Sequence, residues 1–207
     1  MLECILNEIM TKKKRRILII RCGLLGDTID STAVVKPLVD HYGERLEIDW
    51  VTKPNLQKLF EYDNRINPLI IRFTKLPLLL NIDKLKIIFK SFLIPYDAII
   101  NLEVGNKFNS VAKYTKSRIK VGMPYRYVAE NIKNEHRVRH QLRILQTAFT
   151  DIDIENTYPY LVGSDIDIKK EYKINQKYIV MCPTNSKYNK SNHRGYSCLL
   201  YTSDAAD

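Results

Sequence analysis

The sequence predicts an α/β protein built on an open parallel sheet, and three observations carry that reading. The first is a continuous apolar run, Ile17, Leu18, Ile19 and Ile20, which suits a strand buried on both faces rather than one alternating between core and water. The second is recurrence. Further strand-like runs follow at 46–52, 67–72, 96–102 and 118–122, separated by enough chain for crossover helices. The third is the segment 136–149, HRVRHQLRILQTAF, in which Val138, Leu142, Leu145 and Phe149 share one helical face and predict a helix that closes the domain.

The first strand, at 16–21, runs into Gly23-Leu24-Leu25-Gly26, a tight strand-to-helix turn for which the two glycines supply a permissive backbone. Asp27 follows at the start of the helix. In open parallel sheets ligands bind beyond the carboxyl ends of the strands, and the N–H groups that open a helix attract anions. Asp27 can therefore serve a bound hydroxyl as general base or simply cap the helix, for which aspartate is a preferred residue; the residues alone leave both open. Pro37 falls within the same helical stretch. A proline in a helix interior costs about 3 kcal/mol, so a kink near Lys36 or a restarted helix with Pro37 in its first turn is expected.

LEIDWVTKPN (46–55) reads as the second strand and its turn. The most apolar stretch, LPLLLNIDKLKIIFKSFLIP (76–95), is interrupted by Asp83, Lys84, Lys86 and Lys90, too many charges for a bilayer span. It reads either as a crossover helix packed on the sheet or as an interfacial patch with its lysines toward anionic lipid. YDAIINLEVGNKFNS (96–110) holds the fourth strand and a turn at Gly105, Asn106 and Lys107, on the same rim as Asp27. From 151 to 177 the chain turns polar and reads as a connection, after which YIVMCP opens a second strand system.

A chain of 207 residues with 45% hydrophobic content has ample material for a core, and its formal charge of +10 favours an anionic partner. Cys4, Cys22, Cys182 and Cys198 form no paired spacing, so neither a disulfide framework nor a zinc knuckle follows and a reducing cytosol is the simplest home. The opening MLECILNEIM precedes the basic run, the wrong order for a signal peptide. That run, Lys12 to Arg16, lies ahead of the first strand and so at the far end of the sheet, where it reads as a solvated lead-in. His136 and His140 sit four apart, but Arg137 stands where a metalloprotease helix carries glutamate, so no metal site is expected. The Gly23 to Gly26 turn lacks the G-x-G-x-x-G pattern of dinucleotide enzymes. No aromatic RNA-binding motif lies on a strand, so nucleic acid is not expected. A non-enzymatic anion- or RNA-binding α/β domain is the alternative class.

The order of these elements resembles the N-terminal half of glycosyltransferase family 9, the ADP-heptose:lipopolysaccharide heptosyltransferases. The resemblance rests on the opening strand with Gly26-Asp27-Thr28, on LEIDWVTKPN, on YDAIINLEVGNKFNS, on RIKVGMPYR (118–126) and on YIVMCPTNSKYNK (178–190). The family carries a proline earlier in the first helix, where this chain has Ala33, and more often His-Pro-Gly where this chain has Cys182-Pro183-Thr184. The resemblance implies a Rossmann-like parallel sheet forming the N-terminal domain of a GT-B glycosyltransferase, with only the start of the second domain. It implies metal-independent, cofactor-free, inverting transfer of heptose or a related sugar from an ADP-heptose-like nucleotide-sugar donor to a lipid-linked oligosaccharide acceptor, lipopolysaccharide core. Asp27 would be the base. Lys190, with Thr184, Asn185 and Ser186, would hold the donor diphosphate, and Gly26, Gly105, Asn106 and Lys107 would lie on the acceptor side. A cytoplasmic protein, peripheral at the inner face of the inner membrane through anionic lipid, would suit such an acceptor.

The expected organisation is a lead-in at 1–13, the first domain at 14–150, a connection at 151–177 and the start of a donor-binding domain at 178–197. The last ten residues, CLLYTSDAAD, read like a translated sequencing-library adapter, which would make the chain a truncated and inactive piece of a longer enzyme.

Overall fold

A computed structural model of the chain describes residues 14–125, 135–155 and 157–177. Its centre is a five-stranded sheet of β1 (Arg15–Ile20), β2 (Leu46–Thr52), β3 (Ile66–Ile70), β4 (Tyr96–Asn101) and β5 (Ser117–Gly122). The strand order is β3-β2-β1-β4-β5, and all neighbours are parallel. Every predicted strand is present, the third ending at Ile70 rather than at 72. The fold is thus the α/β, Rossmann-like parallel sheet that the sequence predicts. Because the chain winds outward from β1 through β2 to β3 and then returns to β4, the sheet has a switch point between β1 and β4, where such folds bind ligands.

The unbroken apolar run of β1 is explained by what covers it. Ile17 and Ile19 face Val34, Val35, Leu38, Leu142 and Leu145, while Leu18 and Ile20 face Ile87, Phe108, Val111 and Ala112. Both sides of the strand are therefore dry, and all four β1 side chains are fully buried. On the first side lie α1 (Leu25–Ser31), a 3-10 turn at Thr32–Val34 and α2 (Val35–Tyr42). On the other lie α3 (Ile82–Leu93) and α4 (Asn109–Tyr114). The closing helix, α5 (Arg137–Ala148), forms as predicted. Val138, Leu142, Leu145 and Phe149 are all buried, each such side chain contributing about 1.5–3 kcal/mol before entropy is counted.

Pro37 is the third residue of α2, directly after the 3-10 turn. The helix has restarted, and the proline occupies a first-turn position whose N–H has no intrahelical acceptor in any case.

Two expectations are corrected. Residues 151–164 are not a connection: Ile152 and Ile154 complete the core beside α5, and the Tyr160 N–H donates to Thr32 Oγ1 at 2.9 Å. The first compact unit accordingly continues to Ser164. The second unit starts at Asp165 and includes, among the described residues, α6 (Ile168–Glu171). The basic run, in turn, is not all solvated lead-in. Arg15 and Arg16 belong to β1, where Arg16 pairs with Asp49 at 3.1 Å and stacks over the Tyr96 ring.

Gly122, at the end of β5, has a φ of +79°, and a Cβ there would lie 2.0 Å from the Asn101 carbonyl oxygen. No side chain fits between the ends of β4 and β5. Gly122→Ala should lower stability by about 2 kcal/mol or more, through both strain and the backbone clash; urea unfolding followed by far-UV circular dichroism checks this.

Candidate active site

The residue after β1, Arg21, enters the crevice where β1 and β4 part. Its guanidinium is buried; one Nη donates to the Leu102 carbonyl at 3.0 Å and the other lies 3.6 Å from Asp27 Oδ1. Burial lowers its affinity for the proton, with Glu103 acting to raise it and Arg137 to lower it further, yet a guanidinium stays protonated in proteins. From β2, Trp50 Nε1 donates to the Arg21 carbonyl at 3.3 Å, and Lys53 Nζ donates to the Gly23 carbonyl at 3.1 Å. The loop after β1 is thereby fastened to strands on both sides.

Asp27 is the third residue of α1, not its N-cap; Leu24 holds that position and donates its N–H to Asp27 Oδ2 at 3.4 Å. The carboxylate also forms an ion pair with Arg137, the first residue of α5, and its side chain remains 29% exposed. It is thus held from two directions and still open to solvent.

The glycines work differently from the expectation. A Cβ on Gly23 would lie 2.7 Å from Asp27 Cβ, so Gly23 leaves room for the aspartate to fold back over the turn. Gly26 is the second residue of α1, with open space beside it. Neither has a positive φ, the region that favours glycine; Gly105 does, at +130°.

Gly105, Asn106 and Lys107 are exposed in the loop after β4, across the switch point from Asp27. Lys84 pins this loop: its Nζ donates to the Lys107, Thr74 and Leu76 carbonyls at 3.1, 3.0 and 2.9 Å. Burial holds the Lys84 ammonium below its usual pKa. Lys84 therefore faces inward, and of the lysines predicted to face lipid it is excluded. Glu103 accepts the Cys22 N–H. Burial first and Glu103 second push the Cys22 thiol up to about 12, which leaves it neutral and unreactive.

Arg21, Lys53, Lys84 and Arg137 outnumber Asp27 and Glu103 around the rim, an arrangement suited to an anion. Between the end of β4 and α5 lies a cavity of about 30 Å³ lined in part by Glu103, Arg137, His140 and Gln141. A larger one, about 480 Å³, lies beside β3 among Pro54, Lys58, Asp63 and Pro68, away from these groups. Lys190, Thr184, Asn185 and Ser186 lie outside the described residues. Among the described residues no cluster of His, Cys, Asp and Glu could hold a metal ion. Arg21, Lys53, Glu103 and Arg137 were not singled out from sequence. Arg21 had a signal, a charged residue directly between an apolar run and a glycine turn, whereas Arg137 reaches Asp27 only through the fold.

No protein-family profile and no curated protein matches the chain. Solved structures do. A family 9 glycosyl transferase from Veillonella parvula DSM 2008 matches with a TM-score of 0.56 at 20% identity, over 75% of this chain and 47% of that one. E. coli heptosyltransferase WaaC with ADP-2-deoxy-2-fluoro heptose gives 0.54 at 15% identity, over 70% and 51%. E. coli ADP-heptose lps heptosyltransferase II gives 0.55 at 18% identity, over 77% and 50%. The chain spans about half the length of these solved proteins, and over that part it shares the α/β, Rossmann-like fold of heptosyltransferase structures.

The Cys22 environment is directly testable. With Cys4, Cys182 and Cys198 changed to serine, the remaining thiol should resist iodoacetamide at pH 8, where burial and Glu103 keep it protonated, and should react fully in denaturant. Mass spectrometry of the alkylated protein reads the outcome; rapid native labelling would contradict the buried, neutral thiol.

Proposed function

We propose that the chain is part of a glycosyltransferase that moves heptose, or a related sugar, from an ADP-heptose-like donor to lipopolysaccharide core by inverting direct displacement. The observation that carries this reading is Asp27: a partly exposed carboxylate at the switch point, held by Arg21 and Arg137. The fold shared with heptosyltransferase structures supports it, as does the solution of WaaC with ADP.

In this reading Asp27 accepts the proton of the acceptor hydroxyl as its oxygen attacks the anomeric carbon. The bond from that carbon to the diphosphate oxygen breaks, and the nucleoside diphosphate leaves as a stable anion. One base suffices, because the leaving group needs no protonation. Gly26, Gly105, Asn106 and Lys107 border the acceptor. Lys190 serves the diphosphate as a point charge, with Thr184, Asn185 and Ser186 as further donors.

Asp27→Asn keeps the shape and the oxygen that Leu24 reaches but removes the base. In the full-length protein, ADP release from ADP-heptose with a lipid acceptor should fall by about 10²- to 10⁴-fold, while donor affinity stays similar. Turnover within about threefold of the parent in a folded variant would return Asp27 to a purely structural role. Lys190→Ala, in contrast, should weaken donor affinity and turnover together, as titration calorimetry with ADP and the same release assay would show.

A further inference from the structure

Crossover helices ordinarily turn polar residues outward, whereas α3 turns large apolar residues outward as well. Its inner face buries Ile87, Ile88 and Ser91 against the sheet, with Lys84 drawn inward by three carbonyls. Its outer face carries Ile82, Phe89 and Leu93, spaced by seven and four residues and so stacked on one side of the helix, with Phe92 beside them. The turn before α3 adds Leu79 and Leu80, and Ile94 follows the last turn. These side chains lie open to solvent: Leu79 is 84% exposed, Leu93 85% and Phe89 66%. Single exposed apolar residues are ordinary, whereas a contiguous set marks an interaction surface.

The charges around the patch have one sign. Between 71 and 95 the only acid is Asp83, and it is already engaged by Arg72, at 3.0 Å to its guanidinium and 3.1 Å to its N–H. Lys75 and Lys86 are exposed alongside the apolar residues, while the half-exposed Lys90 has its ammonium 3.9 Å from Asp49. A second copy of the chain docked here would bring lysines against lysines. Anionic headgroups above an apolar layer match both the charge and the greasy face, with lysine stems lying along the apolar surface and their ammonium groups reaching outward. No helix among the described residues is long and apolar enough to cross a membrane, so contact through this face lies along the surface.

We propose that the outer face of α3 and the turn before it dock on an anionic lipid bilayer. Lys84 ties the Leu76 end of this surface to the loop at Lys107, which brings the bilayer to the rim that carries Asp27. The docking surface rests on these observations and not on the transferase reading, so either can fail alone.

Sedimentation of the chain with phosphatidylcholine vesicles, with and without phosphatidylglycerol, tests the proposal. Binding should require phosphatidylglycerol. The variant Leu80→Ser/Phe89→Ser/Leu93→Ser, whose changes are all on exposed positions, should keep the parent's urea midpoint yet bind at least about tenfold more weakly. Lys75→Gln/Lys86→Gln should lose most of the dependence on phosphatidylglycerol. Phe89→Trp should be quenched by brominated lipid, which places the contact at α3. Equal binding by parent and triple variant would move the contact elsewhere, for instance to the basic run at 12–16, and overturn the proposal. So would an unquenched Phe89→Trp, or a dimer in sedimentation velocity that the triple variant abolishes, which would assign the face to a second copy.

Discussion

A buried guanidinium at the point where the sheet parts is the constraint around which this molecule is arranged. An unpaired charge in such a place is expensive, and Arg21 is accommodated by the Leu102 carbonyl on one side and the Asp27 carboxylate on the other. Its Nε has no hydrogen-bond partner, so the fit is sufficient rather than saturated. Each neighbour depends on it: the loop after β4 presents its carbonyl, the aspartate turns back across Gly23, and Arg137 approaches the same carboxylate from α5. Arg21 thus joins the Leu24 N–H and Arg137 in holding Asp27 over the turn rather than out in solvent.

The sheet makes that arrangement possible by confining apolar and polar demands to different places. Along β1 every side chain from Ile17 to Ile20 is dry, alternating between two cores that share no residue. Among the described residues, the one buried acid within a strand is Asp49, in the middle of β2 beside Leu18, and it is satisfied by Arg16, the Tyr96 hydroxyl and the Asn67 amide, a buried network in which the acid has several donors. The two acids therefore differ in kind: Asp49 is matched internally, whereas Asp27 is left partly open.

Most of this architecture was legible in the sequence because the signals were local. Five apolar runs and one periodic helix carry the topology, and Pro37 announced the break between α1 and α2. The connection at 151–164 was misjudged because Ile152, Ile154 and Tyr160 are isolated in a polar stretch, and only the surface they meet shows that they are core. The role of Gly23 was misjudged for a similar reason: a glycine kept for the space above it looks the same in sequence as one kept for its backbone angle. Asp27 was visible from its place after a strand and turn. Its partner Arg137 was not, since more than a hundred residues separate them and no pattern of spacing links a helix start to a turn so far away.

The bond from the Trp50 indole to the Arg21 carbonyl has an optical consequence. Trp50 is the only tryptophan among the 207 residues, it is fully buried, and it touches the backbone of the residue that organises the switch point. Its emission is therefore an intrinsic gauge of polarity and hydrogen bonding at that one location, undiluted by other indoles. The native chain carries its own spectroscopic window onto the crevice, with no label to attach.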